Sequence, residues 1–429
     1  MKAQPTLSRT VVISSFTTGL KVGAALLINK VVAVQLGPSG LATLAQLQNL
    51  ISIVITAGSG GVTTGITKLI AEKDGEETGT RAVMEDANRI MRLASLGLAV
   101  VLALLSAPLS ERLFGSPDYA PVLLGLALSL PVLSWGVTFR AALNGSSLVE
   151  ALAATNALQT VAVALLVIVG TWFFGLAGAL AGLVAGHLVS VLAAALSRLR
   201  SLLPRARILY AESGGHLSRL VQFSLMTLVG ALLAPLVQIL IRSYIGEEIS
   251  TDAAGVWEAV LRISDTYLLL YTIPLSIYFL PRLAVLQNAV ELSAELRKGV
   301  GFLVMTLPLV CVAIFLLRDW IIPLLFTSEF SDVGELILPQ LLGDLFKMPG
   351  WLLGYYMLAR AMTKWFIAGD VIFSALFLST SLVLIDHLGT IGACYSHLLT
   401  NALHLVWAAW LVARHLSAMR AVESAAPKP

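Results

Sequence analysis

EALAATNALQTVAVALLVIVGTWFFGLAGALAGLVAGHLVSVLAAALS, residues 150–197, holds one formal charge, Glu150. A helix crosses the roughly 30 Å of bilayer hydrocarbon with about 20 apolar residues. This stretch is long enough to cross twice, as 150–173 and 176–197, with Gly175 between. Upstream the same reading gives spans at 11–35, 41–68, 89–107 and 119–143. Downstream it gives 217–244, 253–281, 299–317, 335–358, 364–385 and 389–413. Segments this long and continuous are not barrel strands, and an open sheet leaves backbone groups unsatisfied in lipid. The expected fold class is an all-α polytopic membrane protein with twelve transmembrane helices.

Composition agrees. Of 429 residues 57 % are hydrophobic and 12 % charged, with a mean hydropathy of +0.87. Soluble domains carry about 25 % charged residues. The charges needed for a wetted surface are missing, which excludes a soluble enzyme, a secreted disulfide scaffold and a nucleic-acid binder. A net charge of +3 is too small to recruit a polyanion. Cys311 and Cys394 lie in apolar runs and read as small fillers. The first apolar stretch follows Lys2 and Arg9 but is interrupted by Lys21, with no small-residue cleavage site, so it reads as a span.

Lys and Arg set the expected orientation. With the N-terminus inside, Arg112, Arg242 and Arg318 fall in outside loops and Lys21, Lys30, Arg262 and Lys347 inside spans. The remaining 21 of 28 lie at cytoplasmic ends and loops. Both termini are therefore expected in the cytoplasm. No loop is long enough to fold as a domain, the longest being 198–216.

A shift of about 215 residues brings landmarks into register. Leu36-Gly37 meets Ile245-Gly246, and Leu113-Phe114 meets Leu325-Phe326. Trp135 meets Trp351, and Gly175-Leu-Ala-Gly178-Ala179 meets Gly389-Thr-Ile-Gly392-Ala393. Chance matches of Gly and Trp occur in any polytopic protein, but these keep their order. Six spans separate the copies, so both halves enter the membrane in the same direction. Parallel repeats of this kind place a transport site between halves. The expected organisation is an N-terminal six-helix lobe at 1–200 and a basic cytoplasmic linker at 201–215. A C-terminal six-helix lobe at 216–416 and a disordered tail at 417–429 complete it.

An ionisable residue in mid-bilayer costs about 2.5–3.5 kcal/mol on insertion scales, which makes it a functional candidate. Lys21 lies near mid-depth of the first span and points to a cavity role, while Lys30 is near enough to the outer end to snorkel. Glu258, Arg262 and Asp265 share one face of the eighth span. They form either a self-neutralising salt bridge or a cation held by carboxylates over a wet cavity. Asp344 and Lys347 in the tenth span carry the same two readings. Gln46, Gln48 and Asn49 make the second span too polar to face lipid, so it lines a cavity or packs on a neighbour. His187, His397 and His404 read as packing residues rather than proton relays. There is no phosphate-binding G-x-x-x-x-G-K-[ST] loop, so ATP is not a partner, and no metal-ligand cluster or cofactor motif is found. A glycan polymerase usually needs a sizeable outer loop with acidic residues, whereas the outer loop after the first span is a handful of residues without a carboxylate.

Several stretches resemble a known family. They are Leu20-Lys-Val-Gly-Ala24 with Lys30, Leu36-Gly-Pro-Ser-Gly-Leu41, Gly65-Ile-Thr-Lys68, and Leu113-Phe-Gly with Asp118-Tyr119. Ile263-Ser-Asp-Thr-Tyr-Leu268 and Gln340-Leu-Leu-Gly-Asp-Leu-Phe-Lys347 with Gly354-Tyr355 follow. In these the chain resembles the Wzx-type flippases of the multidrug/oligosaccharidyl-lipid/polysaccharide exporter superfamily, most of all the lipid III flippases of enterobacterial common antigen synthesis. The resemblance implies a two-lobed carrier, not an enzyme. Such a carrier moves an undecaprenyl-diphosphate-linked oligosaccharide, lipid III or an O-antigen repeat unit, to the periplasmic leaflet by alternating access. It implies the lipid bilayer and other polysaccharide-assembly membrane proteins as partners. It places Lys21, Lys30, Asp265, Asp344 and Lys347 among cavity or network residues. One departure stands out. Those flippases carry a basic residue where this chain has Gln48, and a small polar residue where it has Arg262, which leaves the glycan open.

Lys21, Arg262 and Lys347 would offset the charge of a diphosphate in a low-dielectric path. Gln46, Gln48 and Asn49 would line the route of the sugar, and Glu258, Asp265 and Asp344 would buffer the cations or couple transport to an ion. A cation-coupled multidrug antiporter of the same superfamily and a peptidoglycan-precursor flippase are the alternatives.

Overall fold

The computed structural model describes residues 7–72, 77–196 and 215–425. Nearly all of them are helical, and no strand occurs among them. The helices are α1 (Leu7–Gly58), α2 (Thr63–Ala71), α3 (Glu77–Leu104), α4 (Ser106–Phe114), α5 (Ala120–Gly145) and α6 (Val149–Leu196). They continue as α7 (Leu217–Glu248), α8 (Thr251–Pro274), α9 (Leu280–Val285), α10 (Ala289–Leu325), α11 (Val333–Ala359), α12 (Thr363–Leu388) and α13 (Ile391–Ala425). A π-helical turn at Leu275–Phe279 joins α8 to α9.

Among the described residues seven helices are long and apolar enough to cross a membrane on their own. Two of these, α1 and α6, break at Gly37 (φ 65°, ψ −165°) and Gly175 (φ 58°, ψ −139°), so each supplies two of the expected spans. The remaining three expected spans are α8, α11 and α13, whose charged, His and Asn residues lower their hydropathy. Large apolar side chains face outward, among them Leu128 (81 % exposed), Phe174 (76 %) and Trp320 (80 %), as on a lipid-facing surface.

Two helices start earlier than hydropathy predicts, α3 at Glu77 and α10 at Ala289. Their first turns are polar and lie outside any apolar window. Arg81 and Glu85 (3.0 Å) support that extension in α3.

The repeat has a structural counterpart. Gly389 (φ 69°, ψ −155°) adopts the left-handed turn of Gly175. Three residues on, a Cβ on Gly178 would lie 2.0 Å from the Gly170 carbonyl oxygen, and one on Gly392 would lie 2.2 Å from that of Leu384. Both hairpins thus close through a glycine that admits a backbone. α4, a 3-10 turn at Pro117–Tyr119 and α5 are matched by α10, a 3-10 turn at Ser328–Phe330 and α11. The Gly37–Gly246 correspondence is different: Gly246 lies within α7, and the chain turns after Glu248 instead.

The chain divides into two compact units, 1–239 and 240–429, so the division falls inside α7. The basic linker expected at 201–215 lies outside the described residues except for Gly215. The tail expected to be disordered from 417 is instead helical through Ala425. Its helix is held by Arg420, which donates to Ser293 Oγ (3.1 Å), and Glu423, which accepts from the Ala289 N–H (2.8 Å) and caps α10. In the first unit a core of Val62, Ile66, Leu69, Val83, Ala87 and Phe139 joins α2, α3 and α5.

Candidate functional site

The second unit holds a charge network. α7 and α8 form a hairpin whose turn, capped by Ser250 accepting from the Ala253 N–H, lies midway between Arg242 and Glu258. Residues equidistant from such a turn face each other. Arg242 Nη2 donates to Glu258 Oε2, with the two side chains 2 % and 6 % exposed. One helical turn on, Arg262 Nε donates to Glu258 Oε1 at 2.6 Å, and the Arg262 side chain is 20 % exposed. Two guanidinium groups therefore share one carboxylate. Arg242 also lies 5.6 Å from the centroid of the Trp257 ring.

Arg242 is the principal correction to the sequence reading, which placed it in an outside loop. It is buried within α7 because that helix runs on to Glu248. Only once the turn at Ser250 is located does the spacing bring Arg242 opposite Glu258.

Asp344, fully buried on α11, is a second centre. It accepts from Ser264 Oγ (2.6 Å) and Tyr267 OH (2.6 Å) of α8, and its Oδ1 lies 3.0 Å from His397 Nε2 of α13. Asn401 Nδ2 donates to His397 Nδ1 (3.1 Å) and to the His397 carbonyl (2.8 Å), which leaves Nε2 to carry the proton toward Asp344. His397 therefore belongs to the polar network, whereas the sequence reading made it a packing residue. Gly343 makes this possible, since a Cβ there would lie 2.3 Å from the His397 ring. His404 keeps the packing role, against Phe373 (4.9 Å between ring centroids). His187 bonds the Leu183 carbonyl of its own helix.

Lys347 does not bond Asp344. Its Nζ lies 5.3 Å from the centroid of the half-exposed Trp351 ring. Asp265, on the face of α8 shared with Glu258 and Arg262, is exposed and within electrostatic reach of Lys347. Cys311 and Cys394 are buried free thiols. Among the described residues no three His, Cys, Asp or Glu are grouped to hold a metal ion.

In the first unit, Lys21 is exposed on α1 and Lys30 is half-buried. Gln46 is buried and donates to the Ile239 carbonyl (3.3 Å), and Asn49 donates to Gln238 Oε1 (3.1 Å). These two amides join α1 to α7, and Gln48 is half-buried beside them. Of the two readings of this polar span, the bonds of Gln46 and Asn49 give the packing one its geometry.

Charged and hydrogen-bonded groups inside apolar helices define a polytopic helical membrane protein with a polar interior. The chain belongs to the polysaccharide biosynthesis protein family, whose pattern residues 47–335 match. Over 389 residues it is 29 % identical to a lipid III flippase of Escherichia coli (strain K12), covering 90 % of this chain and 92 % of that protein. The same figures hold for a lipid III flippase of Shigella flexneri. Among solved structures it is similar to an inward-facing multidrug resistance MATE family transporter of the MOP superfamily. The TM-score is 0.73 at 17 % identity, covering 97 % of this chain and 100 % of that one. It is also similar to the lipid II flippase MurJ in an inward closed conformation, with a TM-score of 0.72 at 15 % identity, covering 94 % and 87 %. At these identities the likeness is one of fold.

Proposed function

We propose that this protein is a flippase for an undecaprenyl-diphosphate-linked oligosaccharide, carried from the cytoplasmic to the periplasmic leaflet for cell-surface polysaccharide synthesis. The observation that carries the reading is Arg262, a partly exposed cation held inside a membrane span of a polysaccharide biosynthesis family member. A diphosphate enters a low-dielectric path only if its charge is met there. In this reading Arg262 and Lys347 meet it in the second unit, Lys21 is a separate candidate in the first, and the prenyl chain stays in lipid. The lipid III flippase relatives support the substrate class.

In this reading the protein is a carrier rather than an enzyme. It sits in the bacterial inner membrane with both termini cytoplasmic and works by alternating access through the repeat halves 1–200 and 216–416. Other polysaccharide-assembly membrane proteins receive its product. The test is transport by purified protein in vesicles loaded with defined undecaprenyl-diphosphate-linked glycans, read by accessibility of the sugar at the far leaflet. Movement of these lipids with no movement of cationic drugs is expected. Drug-only transport would replace this reading with the multidrug antiporter.

A further inference from the structure

A salt bridge between Glu258 and Arg262 alone would be neutral, and a neutral pair does not attract an anion. Arg242 changes that count. It takes Glu258 Oε2 while Arg262 takes Oε1, so the cluster holds two guanidinium groups and one carboxylate, a net charge of +1. A guanidinium group carries its charge in essentially every protein environment. Lys347 lies within electrostatic reach of both Asp265 and Asp344, and Asp344 is engaged by Ser264, Tyr267 and His397, so the +1 is the charge of the directly bonded Arg242–Glu258–Arg262 trio. At 2 % exposure Arg242 does not itself reach a ligand, whereas Arg262 at 20 % does.

Stability alone does not call for a second arginine. A buried ion pair is often no better than apolar packing of the same volume, and a third buried charge adds desolvation. We propose that Arg242 is a positioning residue that sets the charge of the phosphate-binding face. By occupying one oxygen of Glu258 it lets Arg262 meet a phosphate-bearing lipid headgroup as part of a cationic cluster. Glu258 in turn keeps the cluster from reaching +2, where a diphosphate would be held too tightly to leave. This rests on the transport reading above.

The test uses the full-length protein in proteoliposomes with an undecaprenyl-diphosphate-linked oligosaccharide as the probe. Initial flipping rates are measured against substrate mole fraction for wild type, R242Q, E258Q, R242Q/E258Q and R242K. R242Q makes the cluster neutral and raises the half-saturating mole fraction by about tenfold, the scale of one unit charge acting over about 10 Å at an effective dielectric of about 20. E258Q makes it +2, lowering half-saturation and slowing the maximal rate. R242Q/E258Q restores +1 and returns half-saturation to near wild type. R242K keeps the charge without the fork and stays near wild type, which separates charge from folding if R242Q is poorly expressed. A double variant as impaired as R242Q, or R242K as impaired as R242Q, overturns the assignment while leaving the flippase reading intact. A wild type that moves no lipid refutes the flippase reading and this inference with it.

Discussion

Asp344→Ala should destabilise the second unit more than any other single truncation in its polar network. The carboxylate is fully buried and accepts from Ser264 Oγ, Tyr267 OH and His397 Nε2, so alanine strands three donors away from water. At about 1–3 kcal/mol for each stranded group the loss is about 3–9 kcal/mol. Interhelical hydrogen bonds in membranes average nearer about 0.6 kcal/mol, which sets a floor of about 2 kcal/mol. Asp344→Asn keeps one acceptor for Ser264 and Tyr267, but its NH2 faces the His397 Nε2–H that Asn401 enforces. One clash of donors costs about 1–3 kcal/mol. The assay is thermal unfolding of detergent-solubilised protein followed by intrinsic fluorescence, with limited proteolysis between α8, α11 and α13. The expected order of melting temperatures is wild type, then D344N, then D344A. D344A melting with wild type, or above D344N, would refute the pinning of three helices on one carboxylate.

Lys21→Ala and Arg262→Ala should each abolish transport with membrane insertion retained, and full complementation of a flippase-null strain by both would remove the cavity-cation argument. Gly178→Leu should prevent accumulation of folded protein, because its Cβ would meet the Gly170 carbonyl oxygen at 2.0 Å. Gly125→Ala, with nothing within 4 Å, should leave stability unchanged or raise it by up to about 1 kcal/mol. Similar yields of the two glycine variants would exclude that hairpin contact as the cause. A C-terminal fluorescent-protein fusion should glow and an alkaline phosphatase fusion should be inactive. The reverse pattern would overturn the orientation drawn from the basic residues.

The fold was legible because lipid imposes so few choices. Apolar runs of about 20 residues marked the crossings, and Gly175 separated two of them with no intervening polar loop. Helix ends were less legible, since the polar first turns of α3 and α10 give no hydropathy signal. Of the candidate site, the Glu258–Arg262 pair was readable from its i,i+4 spacing. Arg242 was not, because its partner lies across a turn and its position near a span end looked like a loop. His397 and Tyr267 reach Asp344 from different helices, and helical periodicity says nothing about which faces meet. Gln46 and Asn49 were recognised as unsuited to lipid, but their bonds to Ile239 and Gln238 join elements far apart in the chain.

The glycine turns bear on how the protein is made. At Gly175 one left-handed residue reverses the chain, and at Gly389 another does the same. Neither leaves a segment that could rest in water while one helix waits in the bilayer for the next. Each pair must therefore enter the membrane together as a preformed hairpin, and the step of insertion during synthesis is two helices, not one. The same economy leaves no strip of chain at these turns for a protease, an antibody or an inserted tag to grip.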